Sequence, residues 1–166
     1  MQNKNPTLAK DIMTKKVVCV FSDTPLLDAY KLMIKNEFNG LPVIDENKHV
    51  IGIITEYDLI TKGTKMHLPT YVKLFGNYPS DAGGRMLIKD SLADILSFSV
   101  RQVMNKEPLL LDEDTTIAKI IETFEEHHRV NPIPIVNYEN VLVGIVSRYD
   151  IIKFDADMLK KAENKV

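Results

Sequence analysis

The chain has 166 residues, is 45% apolar and 27% charged, and carries a formal net charge of −2. That length and apolar share allow one compact core or two small fused halves, and the near-neutral charge excludes attachment to nucleic acid by a general excess of basic residues. A single cysteine, Cys19, excludes an intramolecular disulfide and sits in the apolar run Val17-Val18-Cys19-Val20, where the expectation is a core residue rather than a nucleophile.

The opening Met1-Gln2-Asn3-Lys4-Asn5-Pro6 lacks the apolar segment of a secretory signal. No run reaches the roughly 18 apolar residues that span a bilayer, so the expectation is a cytoplasmic globular protein without a membrane or nucleic-acid partner. After a loose polar tail over residues 1–7, a first unit is expected over 8–62. Val17 to Phe21 reads as a strand. Ser22-Asp23-Thr24-Pro25 offers a cap and a proline suited to the first turn of a helix, whose apolar face is Leu26, Ala29, Tyr30 and Met33. Asn39-Gly40-Leu41-Pro42 breaks that periodicity and Val43-Ile44 begins a strand. Asp45-Glu46-Asn47-Lys48 turns the chain into Val50 to Thr55 as its hairpin partner, and a second helix starts near Glu56.

The same order returns 91 residues later, over 100–154. Val103-Met104 answers Ile12-Met13, Leu109-Leu110-Leu111 answers the first strand, and Asp114-Thr115 answers Asp23-Thr24. The helix face becomes Ile117, Ile120, Ile121 and Phe124. One residue is gained after Phe124, so Asn131, Pro134, Gly144 and Asp150 match Asn39, Pro42, Gly52 and Asp58 at an offset of 92. Each copy runs strand, helix, strand, strand, helix. A sheet of three short strands is marginal alone, so two copies are expected to close a common core.

Residues 63–99 are a connecting insert without a counterpart, with short helices expected from Pro69 to Phe75 and from Ser91 to Leu96 around a Gly-rich loop. Residues 155–166 form a charged, helix-compatible tail.

The most informative stretch occurs twice, as Gly52-Ile53-Ile54-Thr55-Glu56-Tyr57-Asp58 and Gly144-Ile145-Val146-Ser147-Arg148-Tyr149-Asp150. Each carries an apolar strand into a helix start. Two readings are open. Thr55-x-x-Asp58 and Ser147-x-x-Asp150 have the form of capping boxes that need no ligand. Equally, a carboxylate accepts hydrogen bonds from both hydroxyls of a ribose, and a hydroxyl beside free helix-start amides suits a phosphate. Catalysis finds little support: no nucleophile has an evident base, and HExxH, GxGxxG and Walker patterns are absent. The adjacent His127 and His128 would point about 100° apart on a helix, so no metal site is expected.

Two copies of Met, strand, Thr-capped helix, Leu-Pro-Val-Ile or Ile-Pro-Ile-Val, and Gly-h-h-(Thr/Ser)-x-x-Asp resemble a tandem pair of cystathionine β-synthase (CBS) domains. The resemblance implies an α+β fold, two βαββα repeats related by pseudo-twofold symmetry, commonly dimeric. It further implies a non-catalytic sensor that binds AMP, ADP, ATP or S-adenosylmethionine in clefts between the repeats, as a regulatory ligand rather than a catalytic cofactor. Such a sensor of cellular energy would be a homodimer and act on a separate effector protein. The alternatives are a ligand-free dimerisation scaffold and, less favoured, a small nucleotide hydrolase or transferase.

By similarity to the γ subunit of AMP-activated protein kinase, where a His-Arg pair contacts phosphate, one site would place Thr14, Val18, Phe38, Asn39 and Gly40 around the base. His128, Arg129, Ser147 and Asp150 would then hold ribose and phosphate. A weaker second site would use Asn105, Leu109, Val130 and Asn131 with Thr55 and Asp58. Without a ligand, His127-His128-Arg129 reads as a solvated helix end whose positive charge suits the C-terminal dipole.

Overall fold

The computed structural model describes residues 6–61 and 98–163. The helices expected within the insert lie outside the described residues. In chain order the described elements are α1 (Ala9–Ile12), β1 (Val20–Phe21), α2 (Leu26–Asn36), β2 (Gly40–Ile44), β3 (Val50–Thr55) and α3 (Glu56–Thr61). The second copy follows with α4 (Val100–Val103), β4 (Leu111–Asp112), α5 (Ile117–Glu126), β5 (Ile133–Val136), β6 (Leu142–Val146) and α6 (Arg148–Glu163). They form two three-stranded sheets, β1-β2-β3 and β4-β5-β6, so the mixed fold of two βαββα repeats is as expected. Among the described residues no helix is long and apolar enough to cross a membrane.

In the second sheet β4 runs parallel to β5, with Leu111 opposite Ile135, while β5 and β6 are antiparallel with Ile133 opposite Val146 and a bulge after Ile135. The helix between β4 and β5 provides the crossover that a parallel pair requires. Both hairpin turns are closed by a side-chain oxygen. The Asp45 carboxylate accepts from the amides of Asn47 (2.9 Å) and His49 (2.8 Å), and the Asn137 side-chain oxygen accepts from Glu139 and Val141 (both 3.0 Å). Lys48 (φ 65°) and Asn140 (φ 60°) take the left-handed position in these turns.

Several local expectations are corrected. Strand pairing begins at Val20 rather than Val17, and at Leu111 rather than Leu109, so only the last residues of each apolar run join the ladder. Pro25 is the N-cap of α2 rather than a first-turn residue, and the Thr24 hydroxyl accepts instead from the Phe21 amide (3.0 Å). On α2, Leu26, Ala29 and Met33 are buried and Tyr30 only half so. On α5, Ile120 and Phe124 face the core, but Ile121 is 37% exposed. Residue 123 takes the inner position, where Thr123 satisfies its hydroxyl on the Lys119 carbonyl (2.7 Å). Successive helix positions differ by about 100°, so Ile121 falls at the edge of a stripe centred on 120 and 124. Cys19 is half-buried.

The chain divides into two compact units that do not follow the repeats in sequence. One takes residues 1–18, 44–51 and 108–166, the other 19–43 and 52–107. In the first, Ala9 is fully buried with Ile120, Phe124, Ile133, Ile135 and Val146, and Met13, Leu109 and Val130 pack against that cluster. Backbone bonds fasten α1 there: Ala9 N–H donates to the Thr115 carbonyl (2.8 Å) and Ile117 N–H to that of Thr7 (2.9 Å). The second unit repeats the device, with Val100 N–H donating to the Thr24 carbonyl (2.9 Å) and Arg101 N–H to that of Ser22 (2.8 Å). Each repeat's opening helix therefore completes the body of the other repeat.

Candidate functional site

β6 ends at Val146 and α6 begins at Arg148, so Ser147 occupies the N-cap position. Its backbone N–H and its hydroxyl both donate to Asp150 Oδ2, at 2.7 and 2.6 Å, and Asp150 N–H returns to Ser147 Oγ at 3.3 Å. This is a complete capping box: the cap satisfies helix-start amides, and the carboxylate sits where the helix dipole favours negative charge. One carboxylate oxygen is not consumed by the box. Asp150 Oδ1 accepts from the Thr14 hydroxyl at 3.3 Å, a long and weak bond across 136 residues of sequence. Thr14 is brought there by backbone pairing with Ile145, N–H to O at 2.9 Å and the reverse at 3.0 Å.

Close packing makes that approach possible. A Cβ on Gly144 would run into the Met13 side chain, so glycine lets the segment carrying Thr14 lie against β6 without displacing that side chain. Thr14 is exposed and Ser147 and Asp150 are half-buried, leaving the cluster open to solvent. His127 is the C-cap residue of α5, and His128 and Arg129 follow in an exposed turn of the same compact unit. Val18, 37% exposed, belongs to this unit too, whereas Phe38, Asn39 and Gly40 belong to the other.

The first copy builds the same box more deeply. Thr55 N–H and hydroxyl donate to Asp58 Oδ2 at 3.1 and 2.7 Å, Asp58 N–H donates to Thr55 Oγ1 at 3.3 Å, and Asp58 is only 6% exposed. Asn105, the counterpart of Thr14, pairs through its backbone with Ile53 (2.9 and 2.8 Å). Its side chain accepts from Glu107 N–H (3.1 Å) and donates to the Glu107 carbonyl (3.2 Å). Leu109 and Val130 pack against the hydrophobic core of the other unit, where Asn131 also lies. The Asn131 oxygen accepts from Arg148 N–H at 3.1 Å, and the bond from Asn131 to Pro132 is cis.

Arg148 and Glu56 occupy the first variable position after the hydroxyl, where the repeated motif carries no signal. Arg148 donates to the carbonyls of Phe124 (3.2 Å), His127 (3.4 Å) and His128 (3.0 Å), and its guanidinium lies 4.8 Å from the Phe124 ring centroid. It thereby closes the C-terminus of α5. Glu56 accepts from the Asn39 side-chain amide at 3.3 Å. Only their difference in charge could have drawn attention to them. Among the described residues no three His, Cys, Asp or Glu side chains gather as a metal site.

The CBS domain family profile matches residues 9–64 and 100–157. MJ1426, an uncharacterized protein of Methanocaldococcus jannaschii, is 30% identical over 152 residues, covering 88% of this chain and 89% of that protein. Two longer relatives from that organism are matched over only 34% and 51% of their length. Among solved structures, CBSX2 in complex with AMP, a protein of Arabidopsis thaliana, superposes with a TM-score of 0.67 at 21% identity, covering 92% of this chain and 98% of that one. The CBS domain pair of MJ0100, solved with 5′-methylthioadenosine and S-adenosylmethionine, gives a TM-score of 0.64 at 23% identity, covering 92% and 98%. With both repeats matched and the paired βαββα sheets in place, the chain belongs to the CBS domain family, as a tandem CBS pair.

Proposed function

We propose that the chain is a regulatory module that binds an adenosine-containing ligand, AMP, ADP, ATP or S-adenosylmethionine, and signals through a change in conformation or assembly. The observation that carries this reading is the meeting of Thr14 with Asp150 Oδ1 on an open face, at 3.3 Å. A weak hydroxyl contact on a carboxylate already oriented by its cap is readily exchanged for a ribose diol, while the cap bonds stay intact. The helix start suits a phosphate, with His128 and Arg129 supplying positive charge. The CBSX2 and MJ0100 complexes support the ligand class. A homodimer acting on a separate effector protein completes the proposal, the ligand favouring one arrangement over another.

A ligand-free scaffold is the second reading, favoured by the buried box at Asp58, whose carboxylate caps its helix. Calorimetric titration of AMP, ADP, ATP and S-adenosylmethionine into wild type and Asp150→Ala separates the two. The sensor reading expects at least one ligand to bind, and to weaken about tenfold or more in the variant. Affinity that survives the change would leave Asp150 as a cap alone.

A further inference from the structure

The two repeats differ at the C-terminal end of their central helices, α2 and α5, and the difference leaves a cavity. In the second copy Arg148 fills the corner beside Phe124, its guanidinium held by three carbonyls at the end of α5. The sequence counterparts of Phe124, Asn131, Arg148 and Ile151 are Met33, Asn39, Glu56 and Leu59. Those four residues, with Glu37 and Phe38 among the others, line a cavity of about 390 Å³ between α2 and α3. Where one repeat supplies its own arginine, the other offers an open notch with the opposite charge.

The chemistry of the notch is specific. Met33, Phe38 and Leu59 supply apolar lining, and Glu37 and Glu56, both exposed, add two carboxylates, that of Glu56 also accepting from Asn39. The end of α2 adds the negative pole of a helix dipole. Glu37 ends α2 in the left-handed conformation (φ 56°), and its amide and that of Phe38 return to the Ile34 and Met33 carbonyls (3.3 and 2.9 Å). An apolar slot with two carboxylates suits a flat, weakly hydrated guanidinium on an aliphatic stem better than a compact, strongly hydrated ammonium. Ile34, 62% exposed, and Tyr57, 41% exposed, extend apolar surface at the cavity and beside Glu56, more than a small cation would cover. Arginine, with tryptophan and tyrosine, is among the residues enriched as anchors of protein interfaces. We propose that this notch receives the side chain of an arginine presented by a partner protein, in the place that Arg148 fills from within the second repeat.

The test follows the backbone amide resonances of Phe38 and Leu59 in the full chain during titration with a short peptide carrying one arginine between leucines. Both resonances are expected to shift saturably, and the lysine version of the peptide to bind about fivefold or more weakly. Free agmatine is expected to bind about tenfold more weakly than the peptide, because it lacks the apolar flanks. Glu56→Arg, which copies the second repeat, is expected to fill the notch from within, abolish peptide binding and raise the melting temperature. Glu56→Gln, which keeps the shape, is expected to weaken the peptide without changing the fold. Equal binding of the lysine peptide, agmatine matching the arginine peptide, or undiminished binding by Glu56→Arg would each overturn the assignment. Nucleotide binding is tested separately through Asp150→Ala, so the two proposals fail independently.

Discussion

Asp58 and Asp150 end the same seven-residue motif and make the same cap, yet one carboxylate is 6% exposed and the other half-buried beside an exposed threonine. The motif does not create this difference. The opposite repeat's opening segments differ as well: Thr14 has a hydroxyl that reaches Asp150, and Asn105 has an amide engaged on Glu107. On the proposed reading, the same helix-capping carboxylate is a structural part in one repeat and a binding group in the other.

The sharpest way to break that comparison is to remove each carboxylate. Asp58→Ala is expected to cost about 2–3 kcal/mol of unfolding free energy, since it deletes a cap and strands a buried Thr55 amide, while Asp150→Ala costs about 1 kcal/mol because water can replace it. Urea denaturation of both variants measures the gap, and equal losses would remove the distinction. The glycines come next. A Cβ on Gly52 would lie 2.8 Å from the Asn105 backbone oxygen, whereas on Gly144 it meets only the Met13 side chain. Gly52→Ala is therefore expected to cost about 1–3 kcal/mol and Gly144→Ala less, since a methionine side chain can move and a paired backbone cannot. Arg148→Met keeps the aliphatic stem and loses the three carbonyl bonds, with an expected cost of about 1 kcal/mol in the same assay.

The smallest effect distinguishes the two hairpin turns by pH. The His49 ring, 3.0 Å from the Asp45 carboxylate, holds that acid below its ordinary range through their hydrogen bond, and the turn amides lower it further. A carboxyl whose folded pKa is depressed contributes stability fully present above its unfolded value of 3.8, lost as pH falls through the lower folded value. Asn137 holds the matching turn without a charge. Asp45→Asn, which copies it, is expected to flatten a small part of the acid limb of a stability-versus-pH curve.

Much of this fold was legible because it is written twice. Apolar spacing placed α2 and α5, and the turn residues placed both hairpins, since helix and hairpin signals are local. The ends of the first strands were not legible, because a continuous apolar run such as Val17 to Val20 does not say which residues find a ladder partner. Ile121 lost its expected inward place to Thr123, on which no expectation was set: a threonine can bury itself by bonding back to its own helix. At the site, the capping box and the ribose clamp were indistinguishable in sequence, since both need the same hydroxyl and acid. The roles of Arg148 and Glu56 were hidden because their partners are main-chain carbonyls and an asparagine far along the chain, which no short motif encodes.

The exchanged opening helices also govern how the chain must be made. Ala9 is made more than a hundred residues before Ile120 and Val146, which belong to the core that buries it. At about 5–20 residues per second, that first helix waits on the order of ten seconds for a place to dock. Neither half of the sequence, translated alone, would carry the helix that finishes its own body: the unit of 19–43 and 52–107 is complete once α4 has been made, whereas α1 waits for 108–166.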